Sequence, residues 1–132
     1  MIGFLVECAN KPGEIARVSR AIAEKDVNIT ASCSLAWGEK GAIGFITTDD
    51  VTTRQALADI GMTVHEYELV NFRIPDRPGT LADVSERLAS AGVDIEFLVT
   101  TDISGGEVAM AAGVDNVPLA RQALSKVAAS VA

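Results

Sequence analysis

Two short stretches of the chain place a cation, a Pro-Gly turn and the start of a helix in the same order. Each stretch runs from a polar residue to the second residue of the expected helix: Asn10, Lys11, Pro12, Gly13, Glu14 and Ile15 in the first, and Asp76, Arg77, Pro78, Gly79, Thr80 and Leu81 in the second. Glycine lets a backbone come close to another molecule, and the unpaired N–H groups of a first helical turn suit an anion.

The likeness between the two copies continues downstream. Val27-Asn28-Ile29 returns 66 positions later as Val93-Asp94-Ile95, and the run 54–57 returns letter for letter as 121–124. A repeat of this length has to be recognised before a fold is assigned, because each copy forms one structural unit. We therefore predict two domains, 1–68 and 69–132.

Side chains that commonly carry out catalysis are few. The single histidine, His65, falls on a predicted strand, and Cys8 and Cys33 fall on different strands as small buried residues. No second histidine or cysteine stands at metal-ligand spacing, and no phosphate-binding glycine-rich loop occurs. We predict no catalytic residue, no metal and no cofactor. The alternative of a small catalyst requires turnover that is lost when His65 or Cys33 is mutated.

Composition narrows the classes of partner. The net charge of −7 disfavours nucleic acid, because affinity for a phosphate backbone rests largely on lysine and arginine. No apolar run approaches the roughly 20 residues that span a bilayer, and the first residues lack the basic segment of a signal peptide. We therefore expect a cytoplasmic protein with free thiols, without a nucleic-acid or membrane partner.

Hydrophobic periodicity indicates which elements position the repeated loops. Each copy shows a strand, an amphipathic helix, two strands joined by a turn, and a second helix, and the stretch from Met62 onward supplies a further strand after the first copy. This β-α-β-β-α-β arrangement is ferredoxin-like, an α+β fold with an antiparallel sheet and helices on one face. Many unrelated functions use that fold, so it does not identify one.

The stretch from Val27 to Trp37 alternates strictly between apolar and polar residues. This pattern predicts a strand with one apolar face, on which Cys33 is buried and Trp37 packs. In the ferredoxin-like order this strand is a sheet edge. We therefore predict that two chains pair side by side along it as a homodimer.

The junction and the end of the chain predict two further features. The stretch 62–75 has no turn signal, so we expect one strand, bent or bulged near Leu69-Val70, that leads directly from the first domain into the second. When the repeats are aligned, Ala132 stands opposite His65, where the last strand should begin. We therefore expect the second domain to lack its own last strand.

The repeated loop and the strand after it resemble the ACT domain, a small regulatory module of amino-acid-metabolism enzymes, and the resemblance covers the chain as a tandem pair. It implies a ligand held where two ACT domains meet, between the loop of one and the second strand of the other. The residues so implied are Asn10, Lys11, Pro12, Gly13, Glu14, Ile15, Asn28 and Ile29 in the first copy, and Asp76, Arg77, Gly79, Thr80, Leu81, Asp94 and Ile95 in the second.

The resemblance implies a regulatory protein, not an enzyme, that binds an amino acid or a related carboxylate. Asp76 and Asp94 replace two amides of the first copy and would repel a ligand carboxylate, so we expect the first copy to dominate binding. One alternative is a regulatory subunit that docks on a separate amino-acid-metabolism enzyme. An RNA-binding sheet is a remote alternative, since it requires exposed aromatic residues and basic charge.

Overall fold

The computed structural model describes every residue from Met1 to Ala132 and divides into two compact units, Met1–Glu66 and Tyr67–Ala132. Strands and helices follow one another in this order: β1 (Ile2–Ala9), α1 (Glu14–Ala23), β2 (Ile29–Trp37), β3 (Lys40–Thr47), α2 (Asp50–Asp59), β4 (Thr63–Pro75), α3 (Thr80–Ser90), β5 (Ile95–Ser104), β6 (Glu107–Val114), α4 (Val117–Leu124) and β7 (Ser130–Val131). None of the four helices is long and apolar enough to cross a membrane.

In the first unit the strands lie in the order β2-β3-β1-β4, and β3 pairs antiparallel with both of its neighbours. Helices α1 and α2 bury their apolar sides against one sheet face. The resulting core consists of strand and helix residues that are almost inaccessible to water: Phe4, Val6, Ile43 and Phe45 from the strands, and Val18, Ile22, Ala56 and Leu57 from the helices.

The second unit repeats this arrangement, with the strand order β5-β6-β4-β7. Strand β6 pairs antiparallel with β4 and β5, and α3 and α4 share one core with the inward face of the sheet. The predicted α+β fold with the β-α-β-β-α-β pattern and an antiparallel sheet is therefore confirmed.

Local sequence explains where the second helix of each unit begins. The Asp49 carboxylate accepts a hydrogen bond from the Thr52 N–H at 3.0 Å, and the Asn116 side chain accepts one from the Leu119 N–H at 3.1 Å. Both residues are N-caps of the type preferred in proteins. Pro118 lies in the first turn of α4, where its missing N–H costs nothing.

The junction is one uninterrupted strand, β4, as predicted. The predicted bulge is absent, however, because Leu69 and Val70 pair with the successive residues Gly113 and Ala112 of β6. Both Leu69 and Val70 are buried. The two adjacent apolar residues therefore lie on opposite faces of a regular strand, and both faces are covered there.

The prediction that the second unit lacks its own last strand is wrong. The two residues of β7 pair with Phe72 and Arg73 of β4, and the pairing is extended by reciprocal hydrogen bonds between Asn71 and Ala132. Helix α4 ends at Leu124, and a short turn then returns the chain to the sheet. The last strand therefore begins earlier in the sequence than the alignment of the repeats indicated.

The predicted apolar face of β2 does not pack on the core along its length. A register shift lies between Ile29 and Ala31, and a bulge of this kind moves all following side chains to the other face. Ser32 and Ser34 stand opposite the core residues Phe45 and Ile43 and therefore point toward the helices. Cys33 and Trp37, predicted to be buried and packed, lie exposed on the opposite face.

Candidate functional site

A cleft of about 480 Å³ opens in the first unit beside the loop that joins β1 to α1. Its other wall is the hairpin end of β2 and β3. The lining residues come from these three places: Cys8, Ala9, Asn10, Lys11, Pro12, Gly13, Glu14, Ile15, Ala16, Ser34, Leu35, Ala36, Gly41, Ala42 and Ile43. Six of the eight first-copy residues that the sequence singles out therefore lie together.

The start of α1 supplies free N–H groups at this cleft. Gly13 has a left-handed backbone with φ of 93°, and no side chain caps the helix. The first helical bond runs from the Arg17 N–H to the Gly13 carbonyl oxygen, so the three preceding N–H groups have no acceptor within the helix. An anionic group at the cleft would find both these donors and the positive end of the helix dipole.

Asn10 joins the loop to the β2–β3 hairpin. Its side-chain amide donates a hydrogen bond to the Gly38 carbonyl, and its backbone N–H donates one to the Glu39 carbonyl, both at 2.9 Å. In the second unit the Asp76 backbone makes the corresponding bond to Gly106 at 2.9 Å. A carboxylate cannot donate the side-chain bond, so the second loop is held to its hairpin by one bond fewer.

Glu14 is the charged residue most deeply placed in the cleft, with 8% of its surface exposed. Its carboxylate lies 3.8 Å from the Lys11 ammonium and 3.5 Å from the Arg17 guanidinium. Partial burial, and secondly the negative charge of Glu14, raise the pKa of the Cys8 thiol. Cys8 is therefore held as a neutral thiol beside this carboxylate.

Thr80 occupies the equivalent position in the second unit and is equally buried, with 8% exposed. Its hydroxyl lies 2.8 Å from the Pro75 carbonyl and 3.1 Å from the Arg77 carbonyl. The Thr80 hydroxyl therefore forms its hydrogen bonds within its own loop. Gly79 repeats the left-handed conformation of Gly13, and Leu81 and Arg77 are exposed.

The remaining predicted residues do not reach the loop of their own unit. Asn28 and Ile29 lie at the start of β2, whereas the first-unit cleft lies beside its end. The Asn28 N–H donates to the Thr48 hydroxyl at 3.1 Å, and the Asp94 N–H donates to the Asp115 carboxylate at 2.9 Å. The side chains of Ile29 and Ile95 pack against the cores.

Sequence reasoning missed the far wall of the cleft. Leu35 and Ala36 line it because β2 and β3 end beside the loop, a juxtaposition that depends on the strand order. Gly41 packs closely there, because a Cβ atom would lie 3.2 Å from both the Cys8 sulfur and the Leu35 carbonyl oxygen and these neighbours would have to shift slightly. No local pattern indicates this close approach.

The candidate catalytic side chains lie apart. His65 Nε2 is 2.8 Å from a Glu7 carboxylate oxygen at the surface, and Cys33 is exposed on β2. No group of three or more histidine, cysteine, aspartate or glutamate side chains is placed to hold a metal ion.

Comparison with protein families matches residues 69–129 to the ACT domain. The second unit contains an ACT domain. The match to the ACT domain begins where the part of β4 that pairs with β6 begins, and it ends in the turn after α4. No curated protein sequence matches the chain.

Several solved structures share the fold of the ACT domain and the unit that precedes it. A protein from Bacteroides thetaiotaomicron has a TM-score of 0.78 at 23% identity, over 95% of this chain and 86% of that one. The ligand-free regulatory subunit of aspartate kinase from Thermus thermophilus has a TM-score of 0.69 at 17% identity, over 96% and 90%. The corresponding subunit from Thermus flavus has a TM-score of 0.68 at 18% identity, over 96% and 92%.

Proposed function

We propose that the chain is a tandem ACT protein of regulatory, non-catalytic function that binds an amino acid in the first-unit cleft. The first unit has the same order of strands and helices as the ACT domain at 69–129, and it carries the same Pro-Gly loop. ACT domains bind amino acids, and proteins with a similar fold include regulatory subunits of aspartate kinase.

The cleft carries this proposal. A cavity of about 480 Å³ is of the size that small-molecule sites occupy, and most of its walls are apolar. The free N–H groups after Gly13 are placed to receive a ligand carboxylate. The nearby Lys11 and Arg17 add positive charge around the loop.

A homodimer would complete this site. Strand β2 is the sheet edge of the first unit, with Cys33 at its midpoint. If two β2 strands pair antiparallel about that midpoint, Ile29 of one chain stands opposite Trp37 of the other. Asn28 of one chain then lies beside the hairpin to which Asn10 of the other is bonded. The predicted residues that are distant within one chain come together between two chains.

The regulatory mechanism follows from a site that spans two chains. A ligand that contacts the loop of one chain and Asn28 of the other binds only the paired arrangement. It therefore shifts the population toward that arrangement, by no more than its difference in affinity between the paired and unpaired states. Such a shift needs no catalytic group.

The second loop is proposed as a weaker site. Asp76 and Asp94 would stand near a ligand carboxylate, and Thr80 already bonds within its loop. We expect the residues of the second copy, namely Asp76, Arg77, Gly79, Thr80, Leu81, Asp94 and Ile95, to contribute less to binding than their counterparts.

A thermal-shift screen of the purified chain against the twenty amino acids tests the proposal. A ligand at about 100 times its Kd stabilises the fold by roughly 2.7 kcal/mol, which gives a readily measured rise in Tm. Asn28→Ala should abolish that rise, whereas Asp94→Ala should keep most of it. If no amino acid raises Tm in the wild type, the sensor function is wrong.

The second candidate is a regulatory subunit of a separate enzyme, favoured by the likeness to aspartate kinase subunits. Calorimetric titration of the chain with the purified aspartate kinase catalytic chain of the same organism tests it. Binding in the absence of amino acids would support the subunit function. Heat changes indistinguishable from dilution would reject that enzyme as the partner.

A further inference from the structure

The two loops differ most at position 14 and its counterpart, position 80, because the polar groups of these two side chains have different bonding partners. Both residues open a helix after a left-handed glycine, and both are more than nine-tenths buried. The Thr80 hydroxyl is satisfied by carbonyl groups of its own loop. The Glu14 carboxylate accepts no hydrogen bond from any group of the chain, and only two longer ionic contacts reach it.

Those ionic contacts leave hydrogen-bonding capacity at Glu14. The nitrogen–oxygen distances of 3.8 Å to Lys11 and 3.5 Å to Arg17 exceed the usual length of a charge-assisted hydrogen bond, about 2.7–2.9 Å. The Lys11 side chain is largely exposed and free to turn toward solvent or a ligand, whereas the Arg17 guanidinium also donates a hydrogen bond to the Met62 sulfur at 3.1 Å. With 10% of its side chain exposed, the Glu14 carboxylate is still reached by solvent, and a charged donor that replaces this solvent adds a charge-assisted hydrogen bond.

We propose that Glu14 receives the ammonium group of the bound amino acid and makes the first-unit cleft select amino acids over the corresponding 2-oxo acids. This inference rests on the proposed function. The ligand carboxylate occupies the N–H groups at the start of α1, and the ammonium group lies toward Glu14, which lines the same cleft. A 2-oxo acid offers Glu14 no donor and sets a carbonyl oxygen against its negative charge.

A purely structural role for Glu14 makes a different prediction. If the carboxylate served only to hold Lys11 and Arg17 near the loop, its neutralisation would weaken every ligand equally or lower stability alone. Selectivity for the ammonium group therefore separates the two roles. The ratio of the Kd values of the 2-oxo acid and the amino acid measures that selectivity. A change that weakens both ligands equally leaves the ratio unchanged.

The experiment measures Kd by calorimetry for matched pairs: alanine with pyruvate, valine with 3-methyl-2-oxobutanoate, leucine with 4-methyl-2-oxopentanoate, phenylalanine with phenylpyruvate, and aspartate with oxaloacetate. For the amino acid that binds, the wild type should prefer it over its 2-oxo acid by at least about tenfold. Glu14→Gln should weaken the amino acid by about 10- to 100-fold, the range for a hydrogen bond to a charged group, and leave the 2-oxo acid within about threefold.

Glu24→Gln is the matched control, because Glu24 is exposed at the opposite end of α1 and lines neither of the two depressions that Glu14 borders. It should change neither affinity. If Glu14→Gln does not fold, as judged by circular dichroism, Glu14→Asp retains the charge but withdraws it by one methylene. It should likewise reduce the preference for the amino acid.

The outcomes distinguish this inference from the function on which it rests. Equal binding of the amino acid and its 2-oxo acid by the wild type overturns the role of Glu14 and leaves a carboxylate sensor. An unchanged preference in Glu14→Gln, or in Glu14→Asp where that variant is used, overturns it while amino-acid binding stands. Absence of binding by every amino acid overturns both.

Discussion

Gly13 and Gly79 adopt the same left-handed conformation, with φ of 93° and 95°, at the starts of α1 and α3. A Cβ atom at either position would meet nothing within 4 Å. Glycine is therefore required by the backbone angle at both positions and not by crowding. The pair offers two equivalent substitutions, of which only one lies at the proposed ligand cleft.

Gly13→Val and Gly79→Val should each lower the free energy of unfolding by about 1–2 kcal/mol, because a branched side chain disfavours the left-handed conformation. Only Gly13→Val should also remove the thermal shift caused by the ligand, since it places a side chain beside the N–H groups of α1. Urea unfolding and the amino-acid screen provide the two measurements. Loss of the ligand response in Gly79→Val alone would assign binding to the other loop.

Leu57 and Leu124 occupy equivalent positions in α2 and α4, and both are fully buried. Replacement of either by alanine should lower the free energy of unfolding by about 2–5 kcal/mol, because it leaves a cavity in the core of its unit. Leu35→Ala serves as the control, since 72% of Leu35 is exposed. At low protein concentration it should change the free energy of unfolding by less than about 0.5 kcal/mol.

Asp49 makes the stability of α2 depend on pH. Hydrogen bonds from the Thr52 side chain and backbone hold the pKa of Asp49 below its ordinary value. The stabilisation is therefore present above the pKa of the unfolded state and is lost as pH falls through the lower pKa of the folded state. Asp49→Asn, which copies the Asn116 cap of α4, should reduce this part of the acid sensitivity.

Urea unfolding of wild type and Asp49→Asn at pH 7 and at pH 3 measures this effect. The difference between the two proteins should shrink or reverse at the lower pH, because the amide caps the helix in either condition. Asp49→Ala should be less stable than both at pH 7. A constant difference between wild type and Asp49→Asn across this range would contradict the prediction.

Cys33 tests the proposed pairing of two chains along β2. Directly opposed residues on antiparallel strands have Cα atoms about 4.5–5.5 Å apart, within the range that a disulfide spans. Mild oxidation should therefore yield a covalent dimer on a non-reducing gel. Cys8→Ser should retain that dimer and Cys33→Ser should lose it. Monomeric sedimentation of the reduced wild type at micromolar concentration would exclude the pairing.

Local chemistry was sufficient to predict much of this protein from its sequence. The repeat revealed two copies of one pattern, and Gly13 and Gly79 marked two helix starts. These features depend on neighbours a few residues away, through backbone sterics and short hydrogen bonds. The ACT resemblance rested on the same short-range features and reached the family found at 69–129.

Long-range relationships required the folded chain. The bulge near Thr30 reversed the faces of β2, which left Cys33 and Trp37 exposed, and a two-residue return of the backbone supplied β7. Glu14 and Thr80 are both polar residues that follow a Pro-Gly pair, and the sequence alone gives no reason to assign them different roles. Only the packed structure separates them, because the acceptors and cations around each side chain are set by which strands and loops meet in three dimensions.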